Sequence, residues 1–234
     1  MKKLFTTLSI LLTSVFAFSQ TSQVKFGIKA GITFPTIAVA NEGASVYAGP
    51  EPSDYANSTS FYLGGTVDFP LSKVFSLQPG LSLIGKGAKA KYYNSNFEPG
   101  SNLFIFQGSY KLNTMYAEIP VNAILNFNLG SGKIFFGGGP YYGFAISGKI
   151  KREGTATRSD NTVDDSGERN VKFGSDGDFK IGDFGLNFLA GYQLKNGFNI
   201  HAGYGLGLTT ITGENIRFYQ EKNRILSVGV GFSF

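Results

Sequence analysis

Cysteine is absent from this sequence of 234 residues. Without a thiol, the chain can form neither a disulfide framework nor a cysteine-based metal site, and it lacks the cysteine that anchors a lipoprotein. Charged residues are also scarce, at 16% of the chain, whereas ordinary soluble domains contain about 25%. A typical water-soluble surface is therefore not expected over the whole molecule.

Apolar runs long enough for a transmembrane helix are absent as well. The longest stretch, Leu4 to Phe16, is shorter than the roughly 20 residues that a spanning helix needs. It follows two lysines and precedes Ala17-Phe18-Ser19, whose small residues suit a cleavage site. These features predict a signal peptide over residues 1–19 and an exported mature chain over residues 20–234.

Glycine and aromatic residues are abundant instead, with 32 glycines and 15% aromatics. This combination favours a β-sheet with one face of large apolar side chains and one face of small or polar side chains. The net charge of +5 is modest and the basic residues are scattered. We therefore expect a surface that faces water or lipopolysaccharide, and no nucleic-acid partner.

Hydrophobicity alternates with a period of two, which is typical of β-strands. In the last strand the apolar positions are Leu226, Val228, Val230, Phe232 and Phe234. The positions between them are Ser227, Gly229, Gly231 and Ser233. The same alternation predicts about eight strands, over 24–34, 61–69, 74–86, 115–129, 133–147, 184–194, 198–208 and 226–234.

The predicted connections alternate between short and long. Tight turns are predicted at 70–73, 130–132 and 195–197. Long polar segments are predicted at 35–60, 87–113, 148–178 and 210–222. Because an open sheet in lipid would leave edge groups unpaired, the pattern predicts an eight-stranded, antiparallel, up-and-down transmembrane β-barrel with short periplasmic turns and long outer loops. Its eighth strand should pair with the first, around Phe26 to Phe34.

Short motifs spread over most of the mature chain resemble one family. They are Lys25–Gly31, Tyr116–Pro120, Gly138–Gly143, Asp183-Phe184-Gly185 with Ala190-Gly191-Tyr192, and Gly229–Phe234. Together they are similar to the small outer-membrane β-barrel family often called porin-family or PorT-like proteins. The resemblance implies the barrel fold but no particular activity. The final strand, with Phe232 and Phe234, also resembles the signal that the barrel-assembly machinery recognises, which implies that machinery and outer-membrane lipid as partners.

The alternation places a set of polar residues on the predicted inner face: Lys25, Lys29, Asp68, Lys86, Glu118, Asp183 and His201. Isolated charges in a narrow lumen are unfavourable, so we expect pairing into a network that plugs the barrel. A polar path for ions or solutes is the alternative. His201 is the only histidine, and its inward position indicates a structural role because catalysis would need a nucleophile and an orienting carboxylate.

Further expectations concern the lipid boundary and the third long segment. Aromatic residues near strand ends predict interfacial girdles: Phe34, Phe61, Tyr62, Phe69, Tyr92, Tyr93, Tyr192 and Phe198. Acidic residues in 148–178 are interspersed with basic ones and match no calcium loop. We therefore expect no metal, no cofactor and no enzymatic activity, and a structural or interaction role. A small-solute pore and a soluble, lipocalin-like exported barrel are the rival hypotheses.

Overall fold

The computed structural model describes residues 24–41, 55–96, 104–158, 161–213 and 219–234. No helix within these ranges is long and apolar enough to cross a membrane. The strands are β1 (Lys25–Asn41), β2 (Tyr55–Ala56), β3 (Ser60–Pro70), β4 (Phe75–Asn96), β5 (Phe104–Leu129), β6 (Gly132–Arg158), β7 (Asn161–Asp164), β8 (Gly167–Asn170), β9 (Gly182–Leu194), β10 (Phe198–Gly207) and β11 (Tyr219–Ser233).

Eight long strands close into an antiparallel ring in the order β1-β3-β4-β5-β6-β9-β10-β11. The short strand β2 pairs with β4, and β7 and β8 pair with β6. Closure occurs where β11 meets β1, with Ile28 opposite Phe232. Next to that pair, the Phe234 amide donates to the Phe26 carbonyl at 2.8 Å. The predicted fold class and the predicted pairing of the last strand with the first are both confirmed.

Three tight turns connect β3 to β4, β5 to β6, and β9 to β10, all on the same rim. Gly130 and Gly197 have φ angles of 58° and 92°, a region that residues with a side chain rarely adopt. Glycine at these two positions therefore permits the tight reversals. The start of β1 and the end of β11 lie at the same rim.

Outward side chains around the ring are large and apolar. Phe26 is 62% exposed, and Leu63 and Ile200 are each 56% exposed. All three belong to strands that pair with their neighbours, so they are exposed on the outer face of the sheet. A continuous apolar belt of this kind is rare on a protein surrounded by water. It is the surface that a barrel presents to lipid hydrocarbon.

Three neighbouring strands are longer than their sequence patterns predicted. Strands β4, β5 and β6 contain 22, 26 and 27 residues, whereas about 9–11 residues cross a bilayer at a tilt. Beyond Lys86 the apolar side chains of β4 lie on the inner face and the charged ones on the outer face. Ala88 and Ala90 are buried, whereas Lys89 is exposed. We interpret this change as the point where water replaces lipid around the barrel. Apolar side chains then pack inside, and polar side chains face outward.

Seven of the buried apolar residues form a cluster inside the outer end of the barrel, the end opposite the tight turns. This outer apolar cluster contains Ile37, Ala88, Leu112, Ile150, Val171, Phe179 and Ile211. Val171 and Phe179 come from the segment between β8 and β9. Val171 lies within the predicted long outer segment 148–178, and Phe179 directly follows it. Bridges from Phe179 to Phe173 and Thr212 fix this segment in the barrel mouth.

Replacing Phe179 with alanine should loosen the segment 171–181 without unfolding the barrel. Phe179 is only 8% exposed, and loss of a buried phenylalanine costs about 3–5 kcal/mol. Limited proteolysis of the membrane-embedded protein should show faster cleavage within 171–181. Phe173→Ala is the matched control and should have a smaller effect, because Phe173 is only partly buried. Equal cleavage of the Phe179 variant and the parent protein would contradict the proposed anchor.

Candidate functional site: the barrel interior

Three of the predicted inner-face residues meet in the middle of the lumen. The Lys86 Nζ atom lies 2.8 Å from Glu118 Oε2 and 2.8 Å from Asp183 Oδ2. The three side chains are almost completely inaccessible to solvent, at 0%, 5% and 0% exposure. Strands β4, β5 and β9 supply them, so the cluster connects strands that are not all neighbours in the ring.

Neutral side chains donate hydrogen bonds to one oxygen of each carboxylate. Asp183 Oδ2 accepts hydrogen bonds from the Tyr141 hydroxyl at 3.3 Å and from Asn223 Nδ2 at 2.9 Å. Glu118 Oε1 accepts a hydrogen bond from Asn187 Nδ2 at 3.3 Å. We call the set Lys86, Glu118, Asp183, Tyr141, Asn187 and Asn223 the interior network. These hydrogen bonds offset part of the cost of burying the ion pairs, and among the described residues Asp183 Oδ1 accepts none.

Two tyrosine rings enclose the lysine. The Lys86 ammonium lies 4.9 Å from the Tyr116 ring centroid and 4.4 Å from the Tyr141 ring centroid, within cation–π range. Both tyrosines are 1% exposed. Glycine makes room for them: a Cβ atom on Gly185 would lie 2.6 Å from the Tyr141 ring. Neither Tyr116 nor Tyr141 was predicted to belong to the inner polar set, although alternation places Tyr116 on the same face as Glu118.

The remaining inner-face ionisable residues lie below this network, towards the tight turns. A cavity of about 120 Å³ opens there, and its lining includes Lys25, Lys29, Asp68, Lys133 and His201. Among the residues that the structure describes, Lys25, Lys29 and Asp68 form no ion pair. The predicted set of seven residues is therefore divided: Lys86, Glu118 and Asp183 form ion pairs in the lumen, and the other four line a polar vestibule.

His201 points inward and contacts a phenol and an amide. Its Nε2 atom lies 2.5 Å from the Tyr62 hydroxyl, and its Nδ1 atom lies 2.8 Å from Asn199 Oδ1. The prediction that Tyr62 belongs to an interfacial girdle is wrong, because its side chain is 6% exposed and occupies the lumen. The neighbouring Phe61, at 56% exposure, faces outward instead. The side chains of Tyr92 and Tyr93 lie outside the described part of the structure.

The two C-terminal phenylalanines lie together on the outer face. The rings of Phe232 and Phe234 make an edge contact at 5.1 Å between centroids, and Phe234 is 69% exposed. Phe232 stands opposite both Ile28 and Phe198. The final strand therefore ends in an aromatic pair at the rim where the barrel closes.

Charges in the predicted third loop pair with each other. Arg169 donates to both carboxylate oxygens of Asp178, at 2.7 and 2.9 Å, and Lys149 Nζ lies 2.6 Å from Glu168 Oε1. The Arg169 hydrogen bonds hold the pKa of Asp178 below its ordinary value. Within the described ranges, no group of three or more metal-ligating side chains comes together. Asp160 lies outside those ranges.

Comparison with known proteins gives one family. The family described as outer membrane protein beta-barrel domain matches residues 18–213. No curated protein matches the chain. Similar solved structures include Ail, the attachment invasion locus protein of Yersinia pestis, with 14% identity and a TM-score of 0.38. The match covers 91% of this chain and 100% of the Ail chain.

Two further solved structures are similar at comparable levels. Neisserial surface protein A has 12% identity and a TM-score of 0.41, and the match covers 91% of this chain and 100% of that protein. OprG from Pseudomonas aeruginosa has 10% identity and a TM-score of 0.43, with 90% and 95% coverage.

Proposed function

The chain belongs to the outer membrane protein beta-barrel domain family, and we propose that it is a non-enzymatic outer-membrane protein with a structural or interaction role and a closed lumen. The observation that carries this proposal is the interior network. It places Lys86, Glu118 and Asp183 in contact across the lumen. A narrow barrel of about eight strands has its interior filled by side chains.

A second barrier supports the same conclusion. The outer apolar cluster lies above the interior network, where Phe179 and Ile211 enter the barrel mouth from connecting segments. A hydrated ion that passed both levels would need to displace buried ion pairs and then cross a dry apolar layer. Both steps are unfavourable because each removes water or protein partners from charged groups.

The polar interior also supports a role other than catalysis. The carboxylates of the network already accept hydrogen bonds from side chains of the barrel, and His201 contacts Tyr62 and Asn199. The outer parts of β4, β5 and β6, with β7 and β8, leave polar side chains exposed above the apolar belt. This projecting surface is the proposed contact region for a partner, because outer loops and extensions are the parts that reach other molecules.

A small-solute pore is the alternative that one observation favours. The cavity beside Lys25, Lys29 and Asp68 is polar and lies on the side of the tight turns. Solutes would still have to cross the interior network, so the pore hypothesis requires that network to open.

Ion flux distinguishes these two functions. We expect the purified protein to give no conductance above background in planar bilayers and no swelling of proteoliposomes. Glu118→Ala should lower the thermal stability of the folded barrel, because it leaves Lys86 with one carboxylate fewer. Glu153→Ala is the control, since Glu153 is an exposed residue of the outer part of β6. A Glu118 variant that changed conductance while keeping its thermal stability would refute the plug.

Export and assembly complete the proposal. We propose that residues 1–19 are removed, which leaves Gln20 at the N-terminus, and that Phe232 and Phe234 form the signal for the barrel-assembly machinery. Support comes from the export-like N-terminal pattern and from the aromatic pair at the closing rim. N-terminal sequencing of the protein recovered from outer membranes tests the cleavage site.

A further inference from the structure

Three lysines stand side by side on adjacent strands above the apolar belt. Lys89 of β4 is directly opposite Lys111 of β5, and Lys111 is directly opposite Lys151 of β6. Opposed residues of an antiparallel ladder share one face of the sheet. Lys89 and Lys151 are exposed, and Lys111 is half-buried. We call these three residues the lysine row.

The lysine row continues the face that meets lipid. An even number of residues separates Lys89 from Leu83 on β4, and likewise Lys111 from Ile119 on β5. Each lysine therefore lies on the same face of its strand as that apolar residue. Both leucine and isoleucine are outward and exposed, at 45% and 47%. The three side chains therefore point outward, away from the lumen, above the apolar belt.

The height of the row matches the headgroup layer. Met115 is the last apolar outward residue of β5 before Lys111, four residues along the strand. At about 3.3 Å per residue and a strand tilt near 40°, this separation is roughly 10 Å along the membrane normal. Long lysine side chains extend a few ångströms towards the interface from such a position. The row thus lies beside the polar layer of the outer leaflet.

Like charges directly opposite one another destabilise a sheet. Lys151 pairs with Glu153 along its own strand. Glu168 of β8 stands opposite Lys151, but its carboxylate binds Lys149. In the described part of the chain, neither Lys89 nor Lys111 forms an ion pair. The exposed row thus has more positive charge than the neighbouring protein carboxylates neutralise, and an external anion would relieve the repulsion.

From these observations we propose that the lysine row binds the phosphate groups of lipopolysaccharide in the outer leaflet. Phosphate carries the required charge, and the acyl chains of the same molecule would lie against the apolar belt below. Such a ligand satisfies both parts of the surface at once, which a soluble anion cannot do. The proposal rests on the placement of the barrel in the outer membrane and is independent of whether the lumen is closed.

Binding of lipid A to the full mature chain tests this assignment. The detergent-solubilised protein is titrated with fluorescent bisphosphorylated lipid A, and the variant Lys89→Gln/Lys111→Gln is compared with the parent. Each lysine near an anionic lipid surface contributes about tenfold or less, so the double variant should bind roughly 10- to 30-fold more weakly. Lys73→Gln/Lys195→Gln removes two exposed lysines at the tight turns and should bind as the parent does.

Two further measurements separate the possible ligands. Dephosphorylated lipid A should bind the parent and the double variant equally. Equal binding of bisphosphorylated lipid A to both proteins would overturn the proposal. Displacement of lipid A by millimolar inorganic phosphate would identify a free-anion site instead. Loss of heparin binding in the double variant, with lipid A binding retained, would assign the row to a soluble polyanion and also overturn the proposal.

A charge reversal distinguishes a ligand site from a structural feature. Lys111→Glu places an acid between Lys89 and Lys151, so it should raise the thermal midpoint in detergent by roughly 1–3 °C. The same variant should weaken lipid A binding. A midpoint and a lipid affinity that fell together would indicate a purely structural role and contradict the proposal.

Discussion

Lys86→Met is expected to lower the free energy of unfolding of the barrel by about 3–5 kcal/mol. The substitution removes the only cation within 2.8 Å of both Glu118 and Asp183 among the described residues. Two carboxylates would then remain buried in the lumen without an ion pair, and their mutual repulsion would add to the desolvation penalty. Equilibrium unfolding in urea, after refolding into lipid vesicles, measures the difference directly.

Two variants show whether this effect comes from the network itself. Lys133→Met removes a lumenal lysine that forms no ion pair in the described structure, so it should cost less than about 1 kcal/mol. Lys86→Met/Glu118→Gln/Asp183→Asn removes all three charges together and should recover most of the stability, since a neutral cluster has no uncompensated ion. A single Lys86 variant within about 1 kcal/mol of the parent would show that the ion pairs are not important for stability.

Val230→Arg should destabilise the protein by about 2–4 kcal/mol in a bilayer. Val230 is the middle one of the five outward apolar residues from Leu226 to Phe234. It lies between Ala30 and Ile200 on the neighbouring strands and is 49% exposed. Arginine at that depth would be surrounded by hydrocarbon. Unfolding experiments in lipid vesicles, compared with the parent protein, measure the loss.

The depth dependence of this effect separates a membrane barrel from a soluble one. Leu129→Arg is the matched control, because Leu129 is also outward, at 55% exposure, but lies at the tight-turn rim. There the cost should fall to about 0–1 kcal/mol. In a lipocalin-like soluble barrel the outer face meets water, so both variants would be neutral. Equal stability of the Val230 and Leu129 variants would therefore favour the soluble alternative.

The proposed closure of the lumen has two levels with different chemistry. The interior network depends on charge pairing between distant strands, whereas the outer apolar cluster depends on packing of the segment 171–181. The two levels can therefore be perturbed separately, by Lys86→Met for the first and by Phe179→Ala for the second. If both levels contribute to closure, only a protein altered at both should admit solutes.

The sequence alone determined the class of the fold and the direction in which most side chains point. Alternation is a local property, so Val228 and Val230 can be assigned to the outer face, and Glu118 and Asp183 to the inner face, without knowledge of the partner strands. Turn residues such as Gly130 and Gly197 are equally local, because a positive φ angle depends on one residue. These local signals were sufficient to predict the eight-stranded ring, the positions of its tight turns and the strand that closes it.

The same local signals failed where the surroundings of the strands changed. The strands β4, β5 and β6 extend beyond their predicted ends because water replaces lipid outside them and the apolar face turns inward at Ala88 and Leu112. Tyr62 was assigned to a girdle because it is aromatic and near a strand end. Its position between the outward residues Phe61 and Leu63 directs its side chain into the lumen, where it contacts His201. Residue type was a weaker guide there than position along the strand.

Only the tertiary structure decided which inward side chains meet. Lys86 and Asp183 are 97 residues apart in the chain, and their contact depends on the order of the strands and on the stagger with which the ring closes. The same stagger left Lys25, Lys29 and Asp68 in the vestibule below, away from the ion pairs. Alternation determines the face on which each side chain lies. The relative register of distant strands depends on how the barrel closes, and that register determined which residues form the interior network.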